Sequence, residues 1–402
     1  MSAAERLRVL QVITGLAAGG AEEQLRLLAP RLAERGVDCE VAAFYHVGQT
    51  AALLRADGVR VHELNAPGFG DPRATIRLTR LIRARRYDLV HTHLFRAGLH
   101  GRVAARLAGV RAVVHTEHSL NPQLIEGRER TRTVETLYRL SERLGTLTLA
   151  VSAETARQVG GLGVPPERIR ILPCGIDTGA LRFDPAARRR LREQRGYAPD
   201  DLVVVCVGRL VPAKRFHVAI EAVARLAAEK YDRAVRFVVI GTGPQHAELQ
   251  ELAARRLPKR ALFTGELPPA KVAAWLAAAD LFASPSPEET FGLSVLSALA
   301  AGLPTVYADC PALDGLAQAP GRCRRVPSEP AAFHLGLREL AARDRGGPAG
   351  REPPAAVGAY DIEDVADRLA AIYGNSSDQA HTRPGTLFQT GWDHRDEYST
   401  ES

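Results

Sequence analysis

Arg209 and Lys214 lie five residues apart in Gly208-Arg209-Leu210-Val211-Pro212-Ala213-Lys214 and offer an anion two different kinds of cation. A guanidinium meets phosphate oxygens with a forked pair of donors, whereas an ammonium is a mobile point charge. Together they suit a diphosphate that gathers charge as it leaves. Lys214 is the more informative, because only four of the 53 basic residues in this 402-residue chain are lysines. A second run, Ser284-Pro285-Ser286-Pro287-Glu288-Glu289-Thr290-Phe291-Gly292-Leu293, presents paired acids just before a helical pattern. One carboxylate there can cap the helix and the other can accept hydrogen bonds from sugar hydroxyls. Gly292 lets a phosphate approach the backbone and the helix start closely. Gly19-Gly20 forms a third candidate, at a strand-to-helix crossing where N–H groups favour an anion, although a plain tight turn reads the same way. Neither GxGxxG nor the GK[ST] ending of a Walker loop is present, so nicotinamide binding and ATP hydrolysis lose their strongest sequence support.

These residues need rigid elements behind them, and the first half of the chain supplies them as repeats of a β-branched run followed by a helical pattern. Such repeats signal parallel strands with crossover helices. Strands are expected at about 8–13, 38–44, 59–64, 88–92, 112–116 and 146–151, and helices at 22–35, 50–56, 73–86, 97–108 and 128–143. A turn-rich stretch, Ile171 to Asp177 and then Phe183-Asp184-Pro185, separates this unit from a second one. There, strands are expected at 202–207, 236–240, 261–263, 281–283 and 304–307. The fold class is α/β, with a first lobe over 1–180, a second over 181–358, a terminal helix over 359–374 and a disordered tail over 375–402. His381, Asp393 and His394 fall in that tail, which would not hold them in metal-binding geometry. No metal site is expected.

Composition narrows the classes further. A quarter of the residues are charged and no apolar run reaches the roughly 18 residues of a membrane helix. The N-terminus lacks a signal-peptide core, and Cys39, Cys174, Cys206, Cys310 and Cys323 form no CxxC pair. A cytoplasmic chain with reduced thiols is the expectation. The formal charge of +7 comes almost wholly from arginine, as coding bias would produce, and does not call for nucleic acid. Two clusters, Arg77 to Arg86 and Arg188 to Arg192, suit either an anionic membrane face or water, so peripheral membrane contact is open but not favoured.

The combination of GRLxxxK at 208–214, ETFG at 289–292 and LxxLxALAxGLPTV at 293–306 resembles the retaining nucleotide-sugar glycosyltransferases of family 4. The resemblance extends to GLxxGGAE at 15–22, HTH at 91–93 and HTEHS at 115–119. It implies the GT-B fold, two Rossmann-like lobes facing across a cleft, and a nucleoside-diphosphate sugar as donor, without cofactor or metal. By the same resemblance Arg209 and Lys214 hold the diphosphate, and Glu289 holds the sugar hydroxyls. Thr290, Phe291, Gly292 and Leu293 form the turn around sugar and phosphate. Gly19 and Gly20 form the loop over donor phosphate and acceptor, and Gly265 and Leu267 lie in the stretch that reads the nucleobase. His118 is similar to the family histidine beside the transferred sugar. His91, His93, Arg96, His118, Asn121 and Gly20 are the acceptor candidates.

Two positions depart from the family pattern. Ser297 stands where a second glutamate usually binds ribose, and Cys174 replaces the asparagine of the interlobe turn. The expected reaction is retaining transfer of a hexose or N-acetylhexosamine, UDP-linked by preference. The acceptor would be a small polar or cyclitol-like molecule of natural-product or envelope biosynthesis. Ser297 also admits a weakened sugar-nucleotide-binding or scaffold protein, and the two-lobed pattern admits a nucleotide-sugar epimerase. Oligomeric state is left open.

Overall fold

The computed structural model describes residues 6–381 apart from 18, 67, 230–232, 315–321 and 344–350. The first lobe contains β1 (Leu7–Leu16), β2 (Val37–Val47), β3 (Arg60–Glu63), β4 (Leu89–His93), β5 (Ala112–Glu117), a small hairpin of β6 (Leu124–Ile125) and β7 (Arg128–Glu129), then β8 (Leu147–Ala150) and β9 (Ile169–Ile171). All but the hairpin form one parallel sheet in the order β3-β2-β1-β4-β5-β8-β9. The second lobe carries β10 (Leu202–Val207), β11 (Val235–Ile240), β12 (Ala261–Gly265), β13 (Leu281–Ser284), β14 (Thr305–Tyr307) and β15 (Cys323–Arg325). Its parallel order is β12-β11-β10-β13-β14-β15.

In both sheets the chain starts in the middle, winds to one edge and returns on the other side of its first strand. The loops after β1 and β4, and after β10 and β13, therefore diverge and leave a crevice at the strand carboxyl ends, where open α/β sheets bind ligands. Gly19-Gly20 follows β1, His93 ends β4, the Arg209 loop follows β10, and the Glu289 turn follows β13. The topology thus sends these four segments to the carboxyl ends of the two sheets.

Several sequence expectations change. β1 runs to Leu16 rather than to 13, because Gly15 and Leu16 still pair with Tyr45 and Val47 of β2. The helix expected from 128 begins at Arg132, where Thr131 accepts a hydrogen bond from Val134 N; Glu126 and Gly127, at φ 49° and 73°, turn the preceding hairpin. The terminal helix continues past Gly374 to His381, so residues 375–381 are not disordered, and Ser377 on it is buried. The rest of the expected tail, with Asp393 and His394, lies outside the described residues. Arg188 and Arg192 are 8% and 4% exposed and hold carbonyls of the second lobe, which removes them from any membrane-facing cluster.

The terminal helix Ile362–His381 packs onto the first lobe. Ile362, Val365, Ala366, Leu369 and Tyr373 join its core beside Leu25, Leu28 and Leu32 of the helix Gly20–Glu34. The crossing is pinned by Ile176 N to Tyr360 O at 2.8 Å and Ile362 N to Ile176 O at 2.9 Å. Arg31 and Arg35 add ion pairs to Asp177, Glu363 and Asp367. All five cysteines are buried free thiols.

Candidate active site

The second-lobe half of the cleft is held by close backbone contacts. A Cβ on Gly241 would lie 2.0 Å from the Gly208 carbonyl oxygen, and one on Gly243 would lie 2.5 Å from that of Leu210. These two glycines let the loop after β11 press the Arg209 loop into place. Lys214 ends a single 3-10 turn, Pro212–Lys214, and its Nζ is 2.5 Å from Glu289 Oε1. Glu289 N in turn donates to Asp309 Oδ2 at 2.9 Å, and Asp309 pairs with Arg325. Gly292 caps the helix Leu293–Ala300 at φ 96°, and a Cβ there would stand 2.4 Å from Cys310 Sγ. Only glycine satisfies both the left-handed backbone and that contact. The helix, whose first N–H groups have no intrahelical acceptor, thus begins four residues after Glu289, the ion-pair partner of Lys214.

Ser297 lies one turn further along this helix. Its hydroxyl donates to Leu293 O at 2.8 Å, so its proton is taken up by the helix itself. A ribose hydroxyl would find only a lone pair there.

The first lobe closes over this half directly. Thr290 Oγ1 donates to His118 O at 2.8 Å, Asn121 Nδ2 donates to Glu288 Oε2 at 3.2 Å, and a Cβ on Gly20 would lie 3.2 Å from Leu293 Cδ1. Glu22 folds back so that its Oε2 would be 2.2 Å from a Cβ on Gly19. Burial pushes its carboxyl up to about 7, opposed by its own backbone N–H and by Arg209 and reinforced by Glu126. Folded Glu22 keeps its proton to about pH 7, whereas an unfolded glutamate loses it near 4.5. Its contribution to stability therefore falls as pH rises from 4.5 to 7. Glu22→Gln lacks this penalty, so its melting temperature should gain on the wild type by a few degrees across that window and no further above it. Parallel thermal melts at pH 4.5, 6 and 7.5 would check this; a constant offset would refute it.

Two family models match the chain and divide at the lobe boundary. "Glycosyltransferase Family 4" covers residues 18–180 and "Glycosyl transferases group 1" covers residues 201–342. The chain is 31% identical to a D-inositol 3-phosphate glycosyltransferase of Geodermatophilus obscurus, over 93% of this chain and 90% of that one. A protein of the same name from Pseudarthrobacter chlorophenolicus is 31% identical over 72% and 74%. This chain belongs to glycosyltransferase family 4. The fold agrees, because the crystal structure of Anabaena HepE in complex with UDP-glucose superposes with a TM-score of 0.78 at 22% identity, covering 92% of this chain and all of that one. Two parallel-sheet Rossmann-like lobes of the GT-B type are therefore established.

Within this glycosyltransferase the predicted acceptor residues separate. His118 is partly exposed at the junction of the lobes, and burial drives its imidazole down to about 4, against the pull of Glu117. It is neutral at neutral pH, so what it can offer a ligand is a hydrogen bond rather than a charge. Asn121 and Gly20 also face the second lobe. His91 does not reach the cleft: it is 1% exposed, its Nδ1 is bound to the Tyr373 hydroxyl and its Nε2 to Thr116 Oγ1. His93 lies behind His118, bonded to it and to Gln11. Arg96 is a structural residue, 2% exposed, with its guanidinium on the carbonyls of Ala66 and Gly68 and against the rings of Phe44 and Tyr45.

Glu22, Glu126, Asp309, Gly241 and Gly243 also belong to this arrangement without being candidates of the sequence. Glu126 is the least visible, since it reaches the site by capping the helix Phe95–Ala108 through Arg96 N at 2.8 Å. Glu22 and the glycines were signalled by GLxxGGAE and by Gly241-Thr242-Gly243 directly after a strand. Among the described residues, no group of three or more His, Cys, Asp or Glu is placed to hold a metal ion, and no helix is long and apolar enough to cross a membrane.

Proposed function

We propose that this glycosyltransferase moves a hexosyl or N-acetylhexosaminyl unit from a UDP-linked donor to a hydroxyl of a small cyclitol-like acceptor, with the anomeric configuration retained. One observation carries the reading. Lys214 and Glu289, the phosphate cation and the sugar-binding carboxylate, meet at 2.5 Å beside an open helix N-terminus, across the cleft from His118. A donor entering there exchanges that ion pair for its own groups: β-phosphate on Lys214, Arg209 and the first N–H groups of the helix, sugar hydroxyls on Glu289. Names of relatives support a cyclitol acceptor, and the UDP-glucose complex of HepE supports the donor class.

As the bond between the anomeric carbon and the β-phosphate oxygen breaks, charge grows on the phosphate, and the cations and N–H groups stabilise that state more than the ground state. The acceptor oxygen forms its bond on the same face, and its proton passes to the leaving phosphate oxygen. Neither Glu288 nor Glu289 is set as an opposed catalytic acid, since one is tied to Asn121 and the other to Lys214. The reading needs no metal or cofactor, because protein cations and dipoles neutralise the leaving group.

Incubation with UDP- and GDP-hexoses against inositol, inositol phosphate and aminocyclitols tests the proposal by intact mass and anomeric coupling. An α-linked product from an α-linked UDP donor is expected. Inverted product would exclude retention, and donor isomerised without acceptor would mean epimerisation. The occupied hydroxyl of Ser297 favours a second reading, a sugar-nucleotide-binding protein of weak turnover, which donor binding without product would reveal.

A further inference from the structure

A continuous line of buried hydrogen bonds joins the terminal helix to the cleft. Tyr373, fully buried, lies 2.7 Å from Gln11 Nε2 and 2.5 Å from His91 Nδ1 through its hydroxyl. Gln11 Oε1 is 2.8 Å from His93 Nε2, and His93 Nδ1 is 3.1 Å from His118 Nε2. His91 Nε2 completes the side branch at Thr116 Oγ1, 2.7 Å away. No member of this line except His118 is more than 5% exposed.

We propose that Tyr373, Gln11 and His93 are positioning residues that hold His118 in one neutral tautomer, with its proton on Nε2 and the Nδ1 lone pair left for the cleft. The line has a polarity because an amide is asymmetric. Gln11 turns its NH₂ toward the Tyr373 hydroxyl and the Cys39 sulfur, which lies 3.8 Å away and accepts the second hydrogen. Its Oε1 must then accept, so His93 carries its proton on Nε2 and offers Nδ1 as acceptor. His118 consequently donates from Nε2. Tyr373, having accepted from Gln11, donates to His91 Nδ1, and His91 donates from Nε2 to Thr116. Burial keeps His91 and His93 far from protonation, so neither imidazole acquires a second proton that would break the sequence. The nitrogen made by one hydrogen bond is set by the other, which is how histidine tautomers are fixed in proteins. Here the setting group is the Gln11 amide, held by Cys39 and by Tyr373 of the terminal helix, so the docking of Ile362–His381 does more than cover apolar surface.

The consequence for catalysis rests on the reading that His118 meets the transferred sugar or acceptor: a fixed Nδ1 lone pair accepts a hydrogen bond from a hydroxyl and leaves that hydroxyl's oxygen free to be oriented. The tautomer can be read without turnover. In protein labelled with ¹⁵N-histidine, two-bond proton–nitrogen spectra separate protonated from bare ring nitrogens, with His118 assigned by its loss in His118→Gln. Wild type should show a bare Nδ1 and a protonated Nε2 for His118. Tyr373→Phe, which keeps the ring in the core, should move both nitrogens toward tautomer-averaged positions. It should also lower kcat roughly fivefold with donor KM unchanged, the scale of one net hydrogen bond. Gln11→Met provides the same spectral test if Tyr373→Phe fails to fold. A protonated Nδ1 or an averaged pattern in the wild type overturns the proposal, as does an unchanged His118 pattern in a folded variant. A fixed tautomer in a protein that transfers no sugar would leave the relay standing and remove the functional reading instead.

Discussion

Lys214→Ala should lower kcat by about 10²–10³-fold while leaving the protein folded, the loss that follows removal of one preorganised donor from a developing oxyanion. Lys214 is the cation that the structure holds in place rather than leaves in solvent: its Nζ contacts Glu289 Oε1, and a short 3-10 turn fixes its backbone. Arg209 is exposed, so on the proposed reading Arg209→Ala should cost less in kcat and more in donor KM. Lys214→Arg should rescue poorly, because a planar fork cannot replace a point charge packed against one carboxylate oxygen. Steady-state kinetics with saturating acceptor, alongside circular dichroism to confirm folding, would measure all three. Near-normal rates in both alanine variants would eliminate the diphosphate clamp.

Lys214, Glu289 and Gly292 could be read from sequence because each belongs to a short contiguous motif behind a strand, and the doubly wound topology delivers every such motif to the same edge. The strand and helix repeats were equally visible, since their periodicities are local. What escaped is what depends on partners far along the chain. A histidine in β4 looks the same whether its ring nitrogens meet a substrate or another side chain, and nothing near His91 in sequence reveals its partner Tyr373, 282 residues away. Arg96 is similar: the resemblance makes it an acceptor candidate, and nothing local in the sequence shows that its guanidinium lies on the carbonyls of Ala66 and Gly68, about thirty residues away. The terminal helix was extended by seven residues that composition alone assigned to the tail, because burial of a residue such as Ser377 depends on the first-lobe surface beneath it.

The largest effect on stability should come from a residue outside the site, Asp280, in Asp280→Asn. Three arginines converge on it: Arg188 at 2.6 Å, Arg192 at 3.2 Å and Arg351 at 3.5 Å. The same guanidiniums take the carbonyls of Ala277, Ala278 and Ala279 at the C-terminus of the helix Pro269–Ala278, where the helix dipole favours cations. Asp280 also accepts from Val203 N at 2.8 Å, which ties the cluster to the first residues of β10. Carbonyls and dipole supply only partial charges, whereas the Asp280 carboxylate gives a full negative charge to all three of these buried cations. Asparagine keeps the shape, removes that charge and turns an N–H group toward donors. Leaving buried charges without their partner costs about 3–5 kcal/mol. Urea denaturation should show the midpoint falling with the slope unchanged, and the intact fraction should bind donor as the wild type does, because the cluster touches none of the cleft residues. Arg351→Met in the same background should recover part of the loss, since it withdraws one of the three guanidiniums that converge on position 280; a double-mutant cycle measures that coupling. A loss below about 1 kcal/mol for Asp280→Asn would mean that the carbonyls alone satisfy the arginines.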